Sequence, residues 1–407
     1  MSLNSSSGIK DRDGGHLTVA NRNLSKARKD ISHDLSQLCR DLIRTPSPSG
    51  REGRLAELAK NRMEEFGYDR VTIDSIGNVI GIKDGLKPLP LLIFDGHMDT
   101  VPPGERQHWR NDPFSGKITR GSIFGRGAVD MKGALAAMIL IPRIMRSLGW
   151  TPRGSFATVL VVLEEPCEGL GIRNVIEDGL KPDAVVLGEP TNLCLMLGHR
   201  GRFEISVRTH GKTCHSSMPE EGTNPIYEMA QIIGRLEKLS KRLPHHPTLG
   251  PASISGFRIT SSPSEGNVIP DMCELLLDRR TLPGENKAKI LGEIESVILQ
   301  ERRNARASVL RRKLETYTGR RLEVEQAFPS WLLERRHWFV SLARNAVEKV
   351  TGRRPTTGTW RFGTDGAYTA GVKKIPTIGF GPGQPETAHS PDENVSLSDV
   401  TSATLVY

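Results

Sequence analysis

The sequence predicts an α/β protein: a mostly parallel sheet covered by helices on both faces, with an inserted ferredoxin-like α+β domain. Three features carry that expectation. Short apolar runs at 89–94, 158–163, 184–187 and 375–380 read as strands buried on both faces, since a strand sandwiched between helices has no solvated side and loses the polar alternation of an exposed sheet. Helical stretches alternate with these runs, as crossovers between parallel strands require. From 199 to 325 the order changes to strand, helix, strand, strand, helix, strand, which is that of a ferredoxin-like unit.

In chain order, residues 1–27 are rich in Ser, Asn, Gly, Lys, Arg and Asp and lack the apolar stretch of a secretory signal, so a disordered leader is expected. Ile31, Leu35, Leu38, Leu42 and Ile43 recur at helical spacing over 25–43, and the turn Thr45-Pro46-Ser47-Pro48-Ser49-Gly50 stops them. A second amphipathic helix follows at 51–66, a hairpin folds around Gly77-Asn78 within 71–82, and the strand 89–94 comes next. Past a Gly- and Pro-rich excursion, a helix at 131–148, a β-branched strand at 158–163, a short helix at 170–179 and a strand at 184–187 continue the pattern. In the insertion, strands are predicted at 203–209, 252–260, 272–277 and 307–317, and helices at 224–239 and 285–302. A helix at 338–350 and a strand at 375–380 then restore the α/β character. The expected division is one domain from 28–198 and 326–407, with 199–325 inserted into it.

Composition narrows the function classes. A chain of 407 residues is too long for a single compact core. With 37% hydrophobic and 25% charged residues and no long apolar span, it is not read as a membrane protein. Cys39, Cys167, Cys194, Cys214 and Cys273 are scattered and form no CxxC pair, which argues for a reducing, cytoplasmic setting and against a thiolate zinc site. The net charge of +9 comes from dispersed pairs such as Arg302-Arg303 and Arg320-Arg321, without interleaved aromatics; a solvated surface is expected, and no nucleic-acid partner.

The residues that bear chemistry sit at strand ends. Phe94-Asp95-Gly96-His97-Met98-Asp99 closes an apolar run with an imidazole and a carboxylate, at the place where open α/β sheets collect ligands. Four further positions offer metal-ligating groups after apolar runs or Gly-rich turns: Asp130 in Gly125-Arg126-Gly127-Ala128-Val129-Asp130, the pair Glu164-Glu165, Glu189 in Gly188-Glu189-Pro190-Thr191, and His389 in Ala388-His389-Ser390-Pro391. Each alone has an ordinary alternative. Asp130 could cap the following helix, Glu164 and Glu165 could be solvated at a strand end, and Glu189 and His389 could be loop residues. Two imidazoles and at least three carboxylates together make a two-metal inventory, in which a carboxylate can bridge the ions.

As an ordered set, with Gly96-His97-Met98-Asp99-Thr100-Val101-Pro102 and Asp130-Met131-Lys132-Gly133, these motifs are similar to those of the M20 peptidase family, the zinc-dependent aminoacylase, carboxypeptidase and desuccinylase superfamily. The resemblance implies a zinc-exopeptidase-like fold and two Zn²⁺ ions, with Co²⁺ or Mn²⁺ as substitutes. His97 and Glu189 resemble the ligands of one zinc, Glu165 and His389 those of the other, and Asp130 the bridge. Asp99 resembles the partner that orients His97, and Glu164 the general base. In the insertion, His215 resembles the histidine that relatives extend across a homodimer interface to stabilise the oxyanion, and Asn267 and Arg280 resemble residues that hold the substrate carboxylate or oxyanion. The loop Gly363-Thr364-Asp365-Gly366 resembles a segment beside the substrate pocket.

The implied activity is hydrolysis of an amide in a small molecule, an N-acyl amino acid or short peptide, by a deacylase (deacetylase) or carboxypeptidase-like amidohydrolase. Glu at position 189 favours that reading, since aminopeptidase members tend to carry Asp there and carbamoyl-amide hydrolases His. The alternatives are a dipeptidase, a carbamoyl-amide hydrolase, and a catalytically silent metal-binding relative. One segment departs from the family pattern: Glu165 is followed by Pro166-Cys167-Glu168-Gly169 where one residue and a Gly are usual. In this it is similar to the branch labelled selenium-metabolism hydrolases.

Overall fold

The computed structural model describes residues 13–264, 266–300 and 304–407. Helices α1 (Asp13–Arg44) and α2 (Gly53–Phe66) precede the hairpin of β1 (Arg70–Ile73) and β2 (Val79–Lys83). Then come β3 (Leu91–His97), α3 (Gly133–Ile139), α4 (Ile141–Ser147), β4 (Ser155–Val161), α5 (Leu170–Glu177), β5 (Ala184–Leu187) and β6 (Leu195–His199). The leader expected over 1–27 lies outside the described residues up to residue 12, and α1 begins at Asp13, ahead of the start expected near 25. The Gly14-Gly15 and polar residues there offer no start signal to read.

Next follow β7 (Gly201–His210), α6 (Pro225–Ser240), β8 (Ser253–Ser262), β9 (Met272–Thr281), α7 (Lys287–Gln300) and β10 (Ala305–Val309). They form an antiparallel sheet in the order β8-β9-β7-β10, the ferredoxin-like order. The strand expected over 307–317 breaks at Leu310, and Arg311–Glu315 instead pairs with Arg321–Glu325 as a separate hairpin. Phe203, Ile205 and Val207 send alternate side chains toward Ile232 and Leu236 of α6 and Ile290 and Ile294 of α7, which gives this sheet a core of its own.

The chain closes with β11 (Trp331–Leu332), α8 (Trp338–Thr351), β12 (Thr357–Trp360), β13 (Thr377–Gly379) and α9 (Leu397–Val406). The large sheet runs β1-β2-β4-β3-β5-β13-β6-β11, with β12 beside β6. Its centre, β4-β3-β5-β13, is parallel, and antiparallel strands flank it. Alternation along the central strands feeds two cores. Phe94, Leu160 and Val186 pack with α1, α2 and α3, whereas Ile93, Val159, Val161, Val185 and Leu187 pack with α5 and the two tryptophans Trp331 and Trp360. Each fully buried Leu, Ile or Val contributes about 1.5–3 kcal/mol, which explains why these strands are mostly aliphatic and aromatic and carry no charged residue ahead of Asp95 and His97 near the end of β3. Among the described residues, no helix is long and apolar enough to cross a membrane.

Candidate metal centre

The register of the parallel strands sets the site. His97 ends β3 opposite Val161 of β4, and the backbone of Gly188, just past β5, bonds to Asp95 of β3. The carboxyl ends of three adjacent strands thus release His97, the Glu164-Glu165 pair and Glu189 on one edge of the sheet. His389 arrives on the loop after β13, and Asp130 on a tight turn, Ala128–Lys132, that feeds α3. Leu163 and His389 both take left-handed backbone, at φ 58° and 60°, a conformation that side chains with a Cβ adopt at a cost and that concentrates at functional sites.

Asp130 is the centre of this group. Its Oδ1 lies 2.9 Å from His97 Nε2 and its Oδ2 3.1 Å from His389 Nε2, one carboxylate oxygen for each imidazole. Glu189 Oε1 is 3.8 Å from His97 Nε2, and Glu165 Oε1 is 3.2 Å from His389 Nε2. Two ligand-type sets emerge, His97 with Glu164 and Glu189, and His97 with Asp130 and Glu165, each with its donor atoms within 4.8 Å of one another. These residues line a cavity of about 320 Å³ together with Glu168, Arg202, Arg280, Phe362 and Gly363.

Electrostatics show what such a cavity demands. Burial pushes the Glu164 and Glu189 carboxyls well above the usual carboxylate range, and neighbouring carboxylates add to the rise. Hydrogen bonds to the carboxylates of Asp130 and Glu165 raise the His389 imidazole to about 10. Burial alone would depress His97, but the hydrogen bond to Asp130 and the charge of Glu189 raise it well above its ordinary value. Glu164 Oε1 is buried and has no hydrogen-bond partner among the described residues. Four clustered carboxylates, with imidazole nitrogens turned inward and an orphaned oxygen, are a donor set suited to divalent cations of borderline softness. The residues present fit two such ions.

Asp99 serves the cluster from behind. Its carboxylate accepts from Ser49 Oγ at 2.7 Å and from the backbone N–H groups of Glu164 and Glu165 at 3.1 and 3.2 Å. His97 Nδ1 lies 2.8 Å from the backbone oxygen of Asp99 and 3.7 Å from its carboxylate. The ring is therefore held with Nε2 toward the cavity by the main chain, and the Asp99 side chain sets the Glu pair.

Two groupings escape sequence reading. Glu393, fully buried, accepts from Arg126 Nη1 at 2.6 Å and from the backbone N–H groups of Gly127, Val129 and Asp130 at 3.1, 2.8 and 3.0 Å. It ties the turn carrying Asp130 to the loop carrying His389, and Arg126 is stacked on Trp109, 5.2 Å from its ring centre. Lys132, also fully buried, donates to the backbone oxygen of Thr45 at 2.7 Å, and burial lowers its amine to about 7.

The insertion's residues divide. Arg280 lines the cavity, with Nε and Nη2 forked onto Asp278 at 2.8 and 3.1 Å. Gly363 lines it too, while Asp365 behind it accepts from the Gly169 N–H at 2.6 Å. His215 and Asn267 are not brought to the cavity. They neighbour each other on a separate two-stranded ribbon, where His215 Nδ1 meets Ser217 Oγ at 2.7 Å and the Ser216 N–H donates to the Asn267 oxygen at 2.9 Å. Local motifs carry no information about how the insertion is turned, so the distance from the cavity was not legible.

A family model described as peptidase family M20/M25/M40 matches residues 93–407. The uncharacterized protein YgeY of Escherichia coli strain K12 is 36% identical over 386 residues, 94% of this chain and 95% of YgeY. The succinyl-diaminopimelate desuccinylase of Maricaulis maris is 28% identical over 401 residues, 93% of this chain and 96% of that enzyme. Among solved structures, the YXEP protein of Bacillus subtilis, described as a dinuclear metal binding peptidase from the M20 family, shares the fold with a TM-score of 0.66 at 18% identity, covering 93% of this chain and 96% of that one. A match over most of the length, to a family whose solved member has this architecture, leads to one conclusion: the chain belongs to peptidase family M20/M25/M40.

Proposed function

We propose that this family member is a dizinc hydrolase that cleaves the amide bond of an N-acyl amino acid or short peptide, with Glu164 as general base. The observation that carries the reading is the way Asp130 divides its two oxygens between His97 and His389. His97 and Glu189 would hold one ion, His389 and Glu165 the other, and Asp130 both. Bound there, two divalent cations would polarise the scissile carbonyl and lower the proton affinity of water. The chain's own part is proton transfer and positioning. Glu164 takes the proton of the attacking water on its unpartnered Oε1 and delivers it to the leaving nitrogen. Asp99 fixes the backbone of both Glu residues, so that base and ligand keep their places.

Relatives support the reaction class: the Maricaulis maris protein is named as a desuccinylase, and YXEP as a dinuclear metal binding peptidase. We assign residues 199–325 as a lid and dimerisation domain. Tyr227 on α6 and Phe257 and Ile259 on the edge strand β8 are 71%, 54% and 51% exposed, which suits a surface covered by a second copy, and a homodimer would account for a His215 remote from its own cavity. The five free cysteines fit a cytoplasmic enzyme.

The test is a panel of N-acetyl, N-succinyl and N-carbamoyl amino acids and dipeptides, assayed with the Zn²⁺- or Co²⁺-loaded protein. Turnover of an N-acyl amino acid is expected. Turnover confined to dipeptides narrows the reading to a dipeptidase, turnover confined to N-carbamoyl compounds transfers the assignment to a carbamoyl-amide hydrolase, and none across the panel overturns it.

A further inference from the structure

We propose that Glu168 is a specificity-determining residue, whose second carboxylate oxygen receives an N–H donor carried by the substrate. The inference deepens the hydrolase reading and rests on it for the identity of the cavity.

Glu168 lines the same cavity as His97 and Glu164, and its side chain is only 9% exposed. One oxygen, Oε1, accepts from Arg202 Nε at 2.9 Å; the other, Oε2, is buried and has no partner among the described residues. Arg202 reaches only the first oxygen: its Nε holds Oε1, its Nη1 donates to Glu204 at 2.8 Å, and Glu204 is held in turn by Arg312 at 2.6 Å, while Oε2 receives no donor among the described residues. A buried acceptor left unpaired is costly, and native proteins leave few of them. On the wall of a binding cavity, the missing partner is supplied by what enters.

The surroundings are shaped to keep this carboxylate in place. The turn that carries it is pinned by Cys167 N–H to the Glu164 oxygen at 2.9 Å, by Leu170 N–H to the Cys167 oxygen at 3.1 Å, and by Gly169 N–H to Asp365 at 2.6 Å. Gly169 takes left-handed backbone, at φ 78°. Across the cavity wall, a Cβ at Gly363 would collide with the Glu168 carboxyl group, so glycine there leaves the space it occupies. Glu168 belongs to the Pro166-Cys167-Glu168-Gly169 segment whose sequence departs from the family pattern. An ammonium and a neutral amide or ureido group present the same N–H chemistry to this oxygen.

The test uses matched substrates and the metal-loaded full chain. On the amine side these are Nα-acetyl-lysine and Nα-acetyl-citrulline against Nα-acetyl-norleucine; on the acyl side, glycyl-norleucine against propionyl-norleucine. For at least one pair, wild-type kcat/KM is expected to favour the donor-bearing member roughly 10- to 100-fold. Glu168→Gln keeps an oxygen for Arg202 but turns an amide N–H toward the incoming donor, and should bring that ratio close to one. Preference for lysine over citrulline identifies an ammonium, and parity or reversal a neutral donor. If E168Q does not fold, Glu168→Asp, which withdraws the acceptor, should lower the same ratio. Calorimetric binding of the same pairs is read in parallel. If no member is hydrolysed, the hydrolase reading fails and the binding ratio still decides the role of Glu168. Wild-type ratios near one throughout, or a preference that survives E168Q, would overturn the proposal.

Discussion

Replacing Glu393 with glutamine removes the clamp behind Asp130. The wild-type carboxylate, 0% exposed, satisfies one guanidinium and three backbone N–H groups, from Arg126, Gly127, Val129 and Asp130. A glutamine offers a single acceptor oxygen and presents its own N–H₂ to the remaining donors, so about half of the four bonds are lost. Each buried donor left unpaired costs about 1–3 kcal/mol, and a buried cation deprived of its partner about 3–5 kcal/mol. Because these penalties overlap, a loss of about 3–5 kcal/mol is expected, a large share of the roughly 5–15 kcal/mol typical of folded proteins. The Asp130 N–H is one of the four donors, and Arg126 Nη2 also reaches the His389 backbone oxygen at 3.4 Å. Displacement of either loop should therefore lower metal affinity about 10- to 100-fold, the usual effect of losing a group that orients a ligand. Urea unfolding and competition with a metal chelator read the two consequences separately. An E393Q protein with wild-type midpoint and wild-type metal retention would refute the reasoning.

Glu164→Gln is expected to keep both metals while kcat falls about 10²- to 10⁴-fold; metal content and single-turnover kinetics check it, and near-normal turnover would remove Glu164 as base. His389→Ala should leave one ion per chain by elemental analysis, because His97 and Glu189 do not depend on it, and should abolish turnover. His199 supplies a pH prediction. Its Nδ1 donates to the Arg200 backbone oxygen at 2.8 Å and its Nε2 accepts from the Thr364 N–H at 3.1 Å, and burial lowers its pKa from 6.5 to about 4. Between those values the unfolded chain binds more protons than the folded one, so this contribution is complete above about pH 6.5 and is lost as the pH falls toward 4. Unfolding should be about 2 kcal/mol easier at pH 5 than at pH 7 on its account, a share that H199Q should lack in denaturant titrations at the two pH values.

The strands that build the site were legible because apolar runs have a clear physical signature. Ala184–Leu187 falls where its run predicts, and the hairpin at Gly77-Asn78 pairs Val71 with Gly81. The candidate ligands were legible for a related reason: a polar residue directly after such a run stands out. Glu393 was not, since Pro391-Asp392-Glu393-Asn394 reads as a solvated loop and the arginine it binds is 267 residues away. Glu168 sat in the segment marked as a departure, but sequence cannot tell that one of its oxygens is taken and the other is not. The placement of His215 depends on how the insertion is oriented, which no local pattern encodes.

X-ray diffraction from zinc-loaded crystals, recorded at the zinc absorption edge, tests the shared role of Asp130 most directly. The expected map has two anomalous peaks per chain, one beside His97 and Glu189 and the other beside His389 and Glu165, with Asp130 reaching both. A single peak, or peaks remote from Asp130, would contradict the account.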